Sequence, residues 1–311
     1  MKILLTAIVC AFIIMAGTGS VQALTIYDAK DGINVNLYTR LYVFYEHDGD
    51  GRITGNDSRF GLRTSTPVTD TLSVFARAEF RFDASQRARQ DVWNDRRNTY
   101  VGLDSPFGTV TLGNFDSVYY QVVSYIFDLY ENEGFVALGN GSTASRANSA
   151  AYSSPSFEGF QLHGQIRHYE ADNTPSGDEE LVFQVAGSYA IKNLTLALGA
   201  IIENEDAGFG ETLFGFSAAY KLMDNLSLRL MAEHLKDAGE NDYHAALGLI
   251  YKYGFGDIYA SVGQDPDEET YFSLGTNYKF SKPMRLFAEY SNGDAINPDD
   301  PVISIGMRYD F

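Results

Sequence analysis

The sequence predicts an all-β fold, a transmembrane antiparallel β-barrel of about 16 strands, and three observations carry that expectation. Short segments that alternate apolar and polar residues recur from Asn34 to the end of the chain. The connections between them alternate between tight turns and long polar loops, as though sorted by end. The closing stretch Pro301–Phe311 puts Ile303, Ile305, Met307, Tyr309 and Phe311 on one face and Ser304, Gly306, Arg308 and Asp310 on the other. A soluble sandwich with one solvated face shares the alternation but has no reason to sort its connections.

At the amino terminus, Lys2 precedes the apolar run Ile3–Met15, and small residues lead to Ala23. The run is shorter than the ~20 residues of a spanning helix, so residues 1–23 read as an export signal and 24–311 as the barrel. No later segment approaches ~18 consecutive apolar residues. The single cysteine, Cys10, lies in that signal, which leaves neither a disulfide framework nor thiolate chemistry. The formal charge is −18, and loss of Lys2 makes it −19. So acidic a chain excludes nucleic acid as an expected partner. With 21 Tyr, 21 Phe, 29 Gly and only 8 Pro, the composition favours strands.

Taken in order, the first strand is expected at Asn34–Tyr45, with Val35, Leu37, Leu41 and Val43 opposing Asn34, Asn36, Tyr38 and Arg40. Runs follow at 59–65, 72–82, 97–103, 109–114, 150–154, 160–169 and 181–189. The second half adds 194–202, 212–221, 226–236, 243–253, 257–264, 271–280, 284–291 and 302–311. Tight turns rich in Pro, Gly, Asn or Asp fall at 66–70, 105–108, 154–159, 191–193, 223–225, 254–256 and 281–283. Polar loops fall between them, at 46–58, 83–96, 115–149, 170–180, 203–211, 237–242, 265–269 and 292–301. Outer-membrane barrels have short periplasmic turns and longer extracellular loops, and an even strand number brings both termini to the turn side. The last strand then pairs with the first and removes the sheet edges.

Face assignment follows from cost. In Leu72–Phe82, Arg77, Glu79 and Arg81 share one face and Val74, Ala76, Ala78 and Phe80 the other. An Arg against lipid at the midplane of a barrel costs roughly 2–4 kcal/mol, so the charged face lines a wet interior. Arg167, Arg229 with Glu233, and Arg285 with Glu289 fall inside by the same phase. A charged lumen at this strand number implies a water-filled channel.

At Ser58-Arg-Phe-Gly-Leu-Arg63, Arg97-Asn-Thr-Tyr-Val-Gly-Leu103 with Gly108-Thr-Val-Thr-Leu-Gly113, and Arg146-Ala-Asn-Ser149 with Tyr152–Phe160, the chain resembles the trimeric general diffusion porins of Gram-negative bacteria. The resemblance implies a homotrimer and a third extracellular loop folded into the pore, with acidic residues set against a wall of arginines. Arg59, Arg97 and Arg146 match that wall by motif; face alternation adds Arg40, Arg63 and Arg77. Asp128, Glu131 and Glu133 are the acidic candidates in the long 116–148 connection. Two departures stand out: the loop lacks the family's Pro-Glu-Phe-Gly-Gly wording, and Asn114 stands where an Arg is usual, which implies a less basic wall. Gly61, Gly102 and Gly113 are expected to permit close packing between barrels. Tyr309 and Phe311 form the expected assembly signal, since a C-terminal Phe in this family is read by the barrel-assembly machinery.

The expected function is passive diffusion of ions and small hydrophilic solutes, without catalysis or a cofactor. The acid surplus points to a mild cation preference. Substrate-specific channels, receptor or adhesin barrels, and outer-membrane hydrolases remain as alternatives. His47, His163, His168, His234 and His244 show no metal-ligand spacing, and no serine is marked beside His168 or His234. Asp48-Gly-Asp-Gly-Arg-Ile53 begins like a calcium loop, but Arg52 and Ile53 occupy places that need an oxygen ligand and a Gly. Weak divalent-ion binding there, bridging lipopolysaccharide phosphates, is the partner reading left to that loop.

Overall fold

The computed structural model describes residues 24–28, 32–55, 57–86, 96–140, 147–174, 177–203, 212–236, 243–266 and 269–311. The expected export signal and Arg146 lie outside the described residues.

Eighteen strands form one antiparallel sheet among the described residues: β1 (Leu24–Asp28), β2 (Asn34–His47), β3 (Gly51–Thr54), β4 (Ser58–Pro67), β5 (Ser73–Phe82), β6 (Arg96–Ser105), β7 (Gly108–Asn114), β8 (Ser149–Ser153) and β9 (Phe160–Tyr169). They continue as β10 (Glu180–Ile191), β11 (Leu194–Ile202), β12 (Leu213–Met223), β13 (Leu226–Leu235), β14 (Tyr243–Lys252), β15 (Gly256–Gln264), β16 (Thr270–Lys279), β17 (Met284–Gly293) and β18 (Asn297–Asp310). Sixteen of these are staves of a closed barrel, β2 and β4 to β18, each paired with the next. Closure runs from Ile303 opposite His47 to Asp310 opposite Arg40, and Thr39 N donates to Phe311 O at 2.8 Å. Among the described residues no stave is left with an open edge, which is what a sheet in lipid requires.

The two further strands were not expected. β1 extends the edge of β2 beyond the end of β18, with Leu24 opposite Leu37 and Asp28 opposite Asn34. β3 forms a hairpin with the outer end of β2, so the 46–58 connection is not wholly loop. Its turn is the acidic stretch after His47, where Arg52 pairs with Asp48 at 2.8 Å and with Glu46. β18 begins at Asn297, five residues before Val302; Pro298 and Pro301 masked that extension because proline is tolerated only at strand ends, edges and bulges.

The alternation sorts as lipid against lumen. Leu62, Val101, Leu112, Leu198, Phe214, Leu247, Leu274 and Ile305 are exposed on the outer face. Tyr309 and Phe311 meet at 5.8 Å between ring centroids, beside the closure seam. Gly61, Gly102 and Gly113 do not serve the outside, contrary to expectation. A Cβ on Gly61 would lie 2.8 Å from Ala78 O, one on Gly102 would strike the Phe75 ring of the inner face, and Gly113, at φ +127°, would meet Thr99 O at 2.6 Å. These glycines make room within the wall itself.

Candidate functional site: the narrowed lumen

Between β7 and β8 the chain turns into the barrel instead of running over its rim. Ser117 caps a one-turn helix, α1 (Val118–Val122), by accepting from Tyr120 N at 3.1 Å. The next free amides find wall glutamines: Val118 N donates to Gln165 at 2.7 Å and Tyr119 N to Gln184 at 3.0 Å. Tyr119 is fully buried, and its hydroxyl donates to Glu233 at 2.8 Å. Two glycines admit its ring, since a Cβ at Gly215 would strike the Tyr119 hydroxyl and one at Gly199 would lie 3.2 Å from the ring and 2.8 Å from Val123. Around them Val182, Ala186, Ala197, Ile201 and Leu213 form an inward apolar patch that α1 covers.

The returning half of the loop is held as firmly. Phe127 packs with Met231, Ala246 and Tyr271. Tyr130 donates to Ser273 O at 3.0 Å. Glu131 N and Asn132 N donate to the two oxygens of Glu289 at 2.7 and 3.0 Å, and Leu138 N and Gly139 N donate to Glu233 at 2.7 and 3.2 Å. Behind Glu233, His244 bonds through Nδ1 at 3.0 Å and through Nε2 to the Tyr271 hydroxyl at 2.8 Å, with no exposed surface. Asn114 joins the loop's two ends: its side chain donates to Arg96 O at 3.1 Å and accepts from Ala147 N at 3.0 Å.

The loop leaves a cavity of about 1040 Å³ against β2, β4, β5, β6, β17 and β18. Glu79, only 1 % exposed, is the hub of its wall. Arg77 reaches it at 2.6 Å, Arg97 at 3.0 Å and Arg59 at 3.9 Å, and Tyr38 donates to it at 2.9 Å. A carboxylate so buried is stable only because it is paired and hydrogen-bonded on every side. Asp57 pairs with Arg59 at 3.1 Å and with Arg40 at 3.5 Å; Arg40 also reaches Asp310 at 2.9 Å. Glu131 of the loop pairs directly with Arg308 at 3.0 Å and with Arg285 at 3.4 Å, which ties the loop to the last two staves.

Of the sequence-predicted residues, Arg40, Arg59, Arg63, Arg77, Arg97, Asp128 and Glu131 line this one cavity. Arg63 stands 4.3 Å from the Tyr38 ring centroid. Asp128 accepts from Tyr120; lumen water still reaches it, but the surrounding protein pushes its pKa above the ordinary carboxylate range. Glu133 does not line the cavity. It sits toward Glu46 and Asp48 and keeps contact with water; its backbone oxygen accepts from Ser291 at 2.8 Å, and partial desolvation by the surrounding protein, then those two acids, push its pKa up. Asn114 does not leave the wall poor in base, because Arg285, Arg308 and Lys282 from the last two staves and their turn supply it. Arg285, Arg308, Lys282 and Glu79 were not among the expected site residues, although Arg285, Arg308 and Glu79 fall on the inward face by phase. The signal was the inward phase of Arg285 and Arg308 next to the seam where the barrel closes on Arg40.

A family model described as Gram-negative porin matches residues 5–297. The chain is 25 % identical to a monosaccharide porin of Halomonas sp over 96 % of both chains, and 24 % identical to the outer membrane porin protein OmpD of Citrobacter koseri over the full length of both. Among solved structures, Salmonella typhi OmpF in complex with daunomycin superposes with a TM-score of 0.72 at 17 % identity, covering 93 % of this chain and all of that one. A mutant of Rh. blastica porin superposes at 0.67 and 18 % identity over 90 % of this chain and all of that one. With a closed 16-stave barrel, an inward loop and a charged lumen, the chain belongs to the Gram-negative porin family, non-enzymatic outer-membrane channels for small solutes.

Proposed function

We propose that the protein passes ions and small hydrophilic solutes by diffusion through the cavity between the inward loop and the arginine wall, which acts as the narrowest section. The carrying observation is that the loop's Asp128 and Glu131 line the same cavity as the wall arginines Arg40, Arg59, Arg77, Arg97, Arg285 and Arg308. Opposed charges across a low-dielectric passage orient water and polar solutes and penalise apolar ones.

Ion preference is set by two contributions of opposite sign. The chain carries −18 overall, which favours cations at both mouths. The cavity lining carries eight basic and six acidic side chains, which favours anions within the narrow section. At low salt the distant acids act across a Debye length of ~30 Å, and at 1 M salt across only ~3 Å. The mild cation preference expected from the chain's acid surplus is therefore a low-salt property that fades as salt rises. Reversal potentials across a planar bilayer at both salt levels test it; anion preference at low salt would sink the proposal.

Assembly as a homotrimer is proposed from family membership, with outer-membrane lipid and lipopolysaccharide around it, both termini periplasmic and Phe311 as a mark for the assembly machinery. Stepwise conductance in threes supports the trimer, and unchanged trimer yield after deletion of Phe311 would remove its assembly role. Cleavage after Ala23 is checked by whether the exported protein begins at Leu24.

A further inference from the structure

The cavity's charges are not all spent on one another. Arg40, Arg59, Arg77, Arg97, Arg285 and Arg308 each lie within ion-pair distance of a carboxylate. Arg63 and Lys282 have no such partner among the described residues, and both are exposed to the same water-filled space. Arg63 rests on the face of Tyr38, a contact that fixes the guanidinium without neutralising it.

The loop contributes a second, chemically different feature. Tyr125 lines the cavity with 57 % of its surface exposed, unlike Tyr119 and Tyr130, which the wall covers. Its ring is braced edge-to-face by Tyr120 at 5.7 Å, and Tyr120 is itself tied to Asp128. A flat apolar face is thus held open to lumen water, where it suits a solute that has one apolar face of its own.

Resting on the channel reading above, we infer that the narrowed lumen holds a transient site for small organic carboxylates with one flat or apolar face, the anion drawn by Arg63 and Lys282 and the face stacking on Tyr125. Sugar acids and aromatic acids are the two sources of that chemistry. A neutral monosaccharide offers the face without the charge, and chloride offers the charge without the face. The site differs from the ion-pair ladder, whose arginines already have partners, and it binds without any covalent step.

Single-channel recording on the purified full protein tests this with glucuronate, benzoate and glucose added in turn. Glucuronate, benzoate or both should interrupt the current in a concentration-dependent way at levels where glucose does not. Interruption by only one of the two acids identifies the source. Replacing both cations, Arg63→Ala with Lys282→Ala, should weaken the effect by at least roughly fivefold, the factor for a single unit-charge contact in water. Tyr125→Ala should weaken interruption by either acid. Open channels that neither acid interrupts, or equal interruption in the double variant, overturn the inference. An electrically silent protein instead overturns the channel reading, and this inference with it.

Discussion

Two halves of the inner wall use the same inward-facing residue type in opposite ways. On β13 and β17, Glu233 and Glu289 are covered by the loop and accept from its backbone N–H groups. On β5, Glu79 is left facing the cavity side and is matched by arginines. The difference lies in the surroundings. β10 to β14 present Val182, Ala186, Ala197, Ile201, Met231 and Ala246 inward, a surface that water would wet poorly and that the loop therefore covers. β4 to β6 present Arg59, Arg77 and Arg97 inward, which keep their stretch of lumen open. Glu233, among apolar neighbours, anchors the loop, whereas Glu79, among arginines, lies buried behind the conducting surface and holds those arginines on the wall.

If that distinction is right, the largest effect comes from Glu233→Ala. The substitution strips an acceptor from Tyr119, Leu138 N, Gly139 N and His244 together. Each buried donor left without its acceptor costs about 1–3 kcal/mol. We expect a lower unfolding temperature together with larger, noisier single-channel conductance as the loop leaves its seat. A quiet channel of ordinary conductance would show that the loop does not depend on this anchor.

Glu79→Gln probes the other half and should act on selectivity more than on structure. Gln keeps the size and an acceptor oxygen but leaves Arg59, Arg77 and Arg97 short of one negative charge. Anion-to-cation permeability should rise by up to about fivefold, the factor for a contact of ~1 kcal/mol in water. An equal change in conductance noise to that of Glu233→Ala would erase the contrast between anchor and conducting surface.

Most of the barrel was legible because a period of two with a lipid-facing side leaves little freedom in strand placement; β9 and β11 carry the very limits expected, Phe160–Tyr169 and Leu194–Ile202. β3 and the start of β18 were hidden because they lie within long polar connections, where nothing in the sequence enforces alternation and Pro298 and Pro301 resemble loop. The site was legible in part. Arg59 and Arg97 sit in recognisable strand wording, whereas Arg285 and Arg308 become neighbours of Arg40 only when the barrel closes. Glu79 was readable as inward, but its role as hub depends on three strands coming together. The loop's seat had a signal that went unread. Leu194-Thr-Leu-Ala-Leu-Gly-Ala-Ile-Ile202 is apolar on both faces, as a wall requires where something other than water covers it.

The smallest effect concerns pH and the two loop carboxylates. Asp128 faces the cavity and Glu133 does not, while the protein around each pushes its pKa up. As pH falls through a raised pKa, each carboxylate is neutralised earlier than an ordinary one. Only Asp128 thereby removes a negative charge from the lining. Mild acid should therefore move the reversal potential toward anions by under about twofold in permeability ratio, since lumen water and salt screen a single charge. The shift should vanish in Asp128→Asn and persist in Glu133→Gln. The same raised values mean that ionising either group weakens the folded loop, so stability from this source is full at low pH and is lost as pH rises through them. If Glu133→Gln abolished the selectivity shift instead, Glu133 would belong to the conducting surface, and the division between covered and open wall would have to be redrawn on the loop itself.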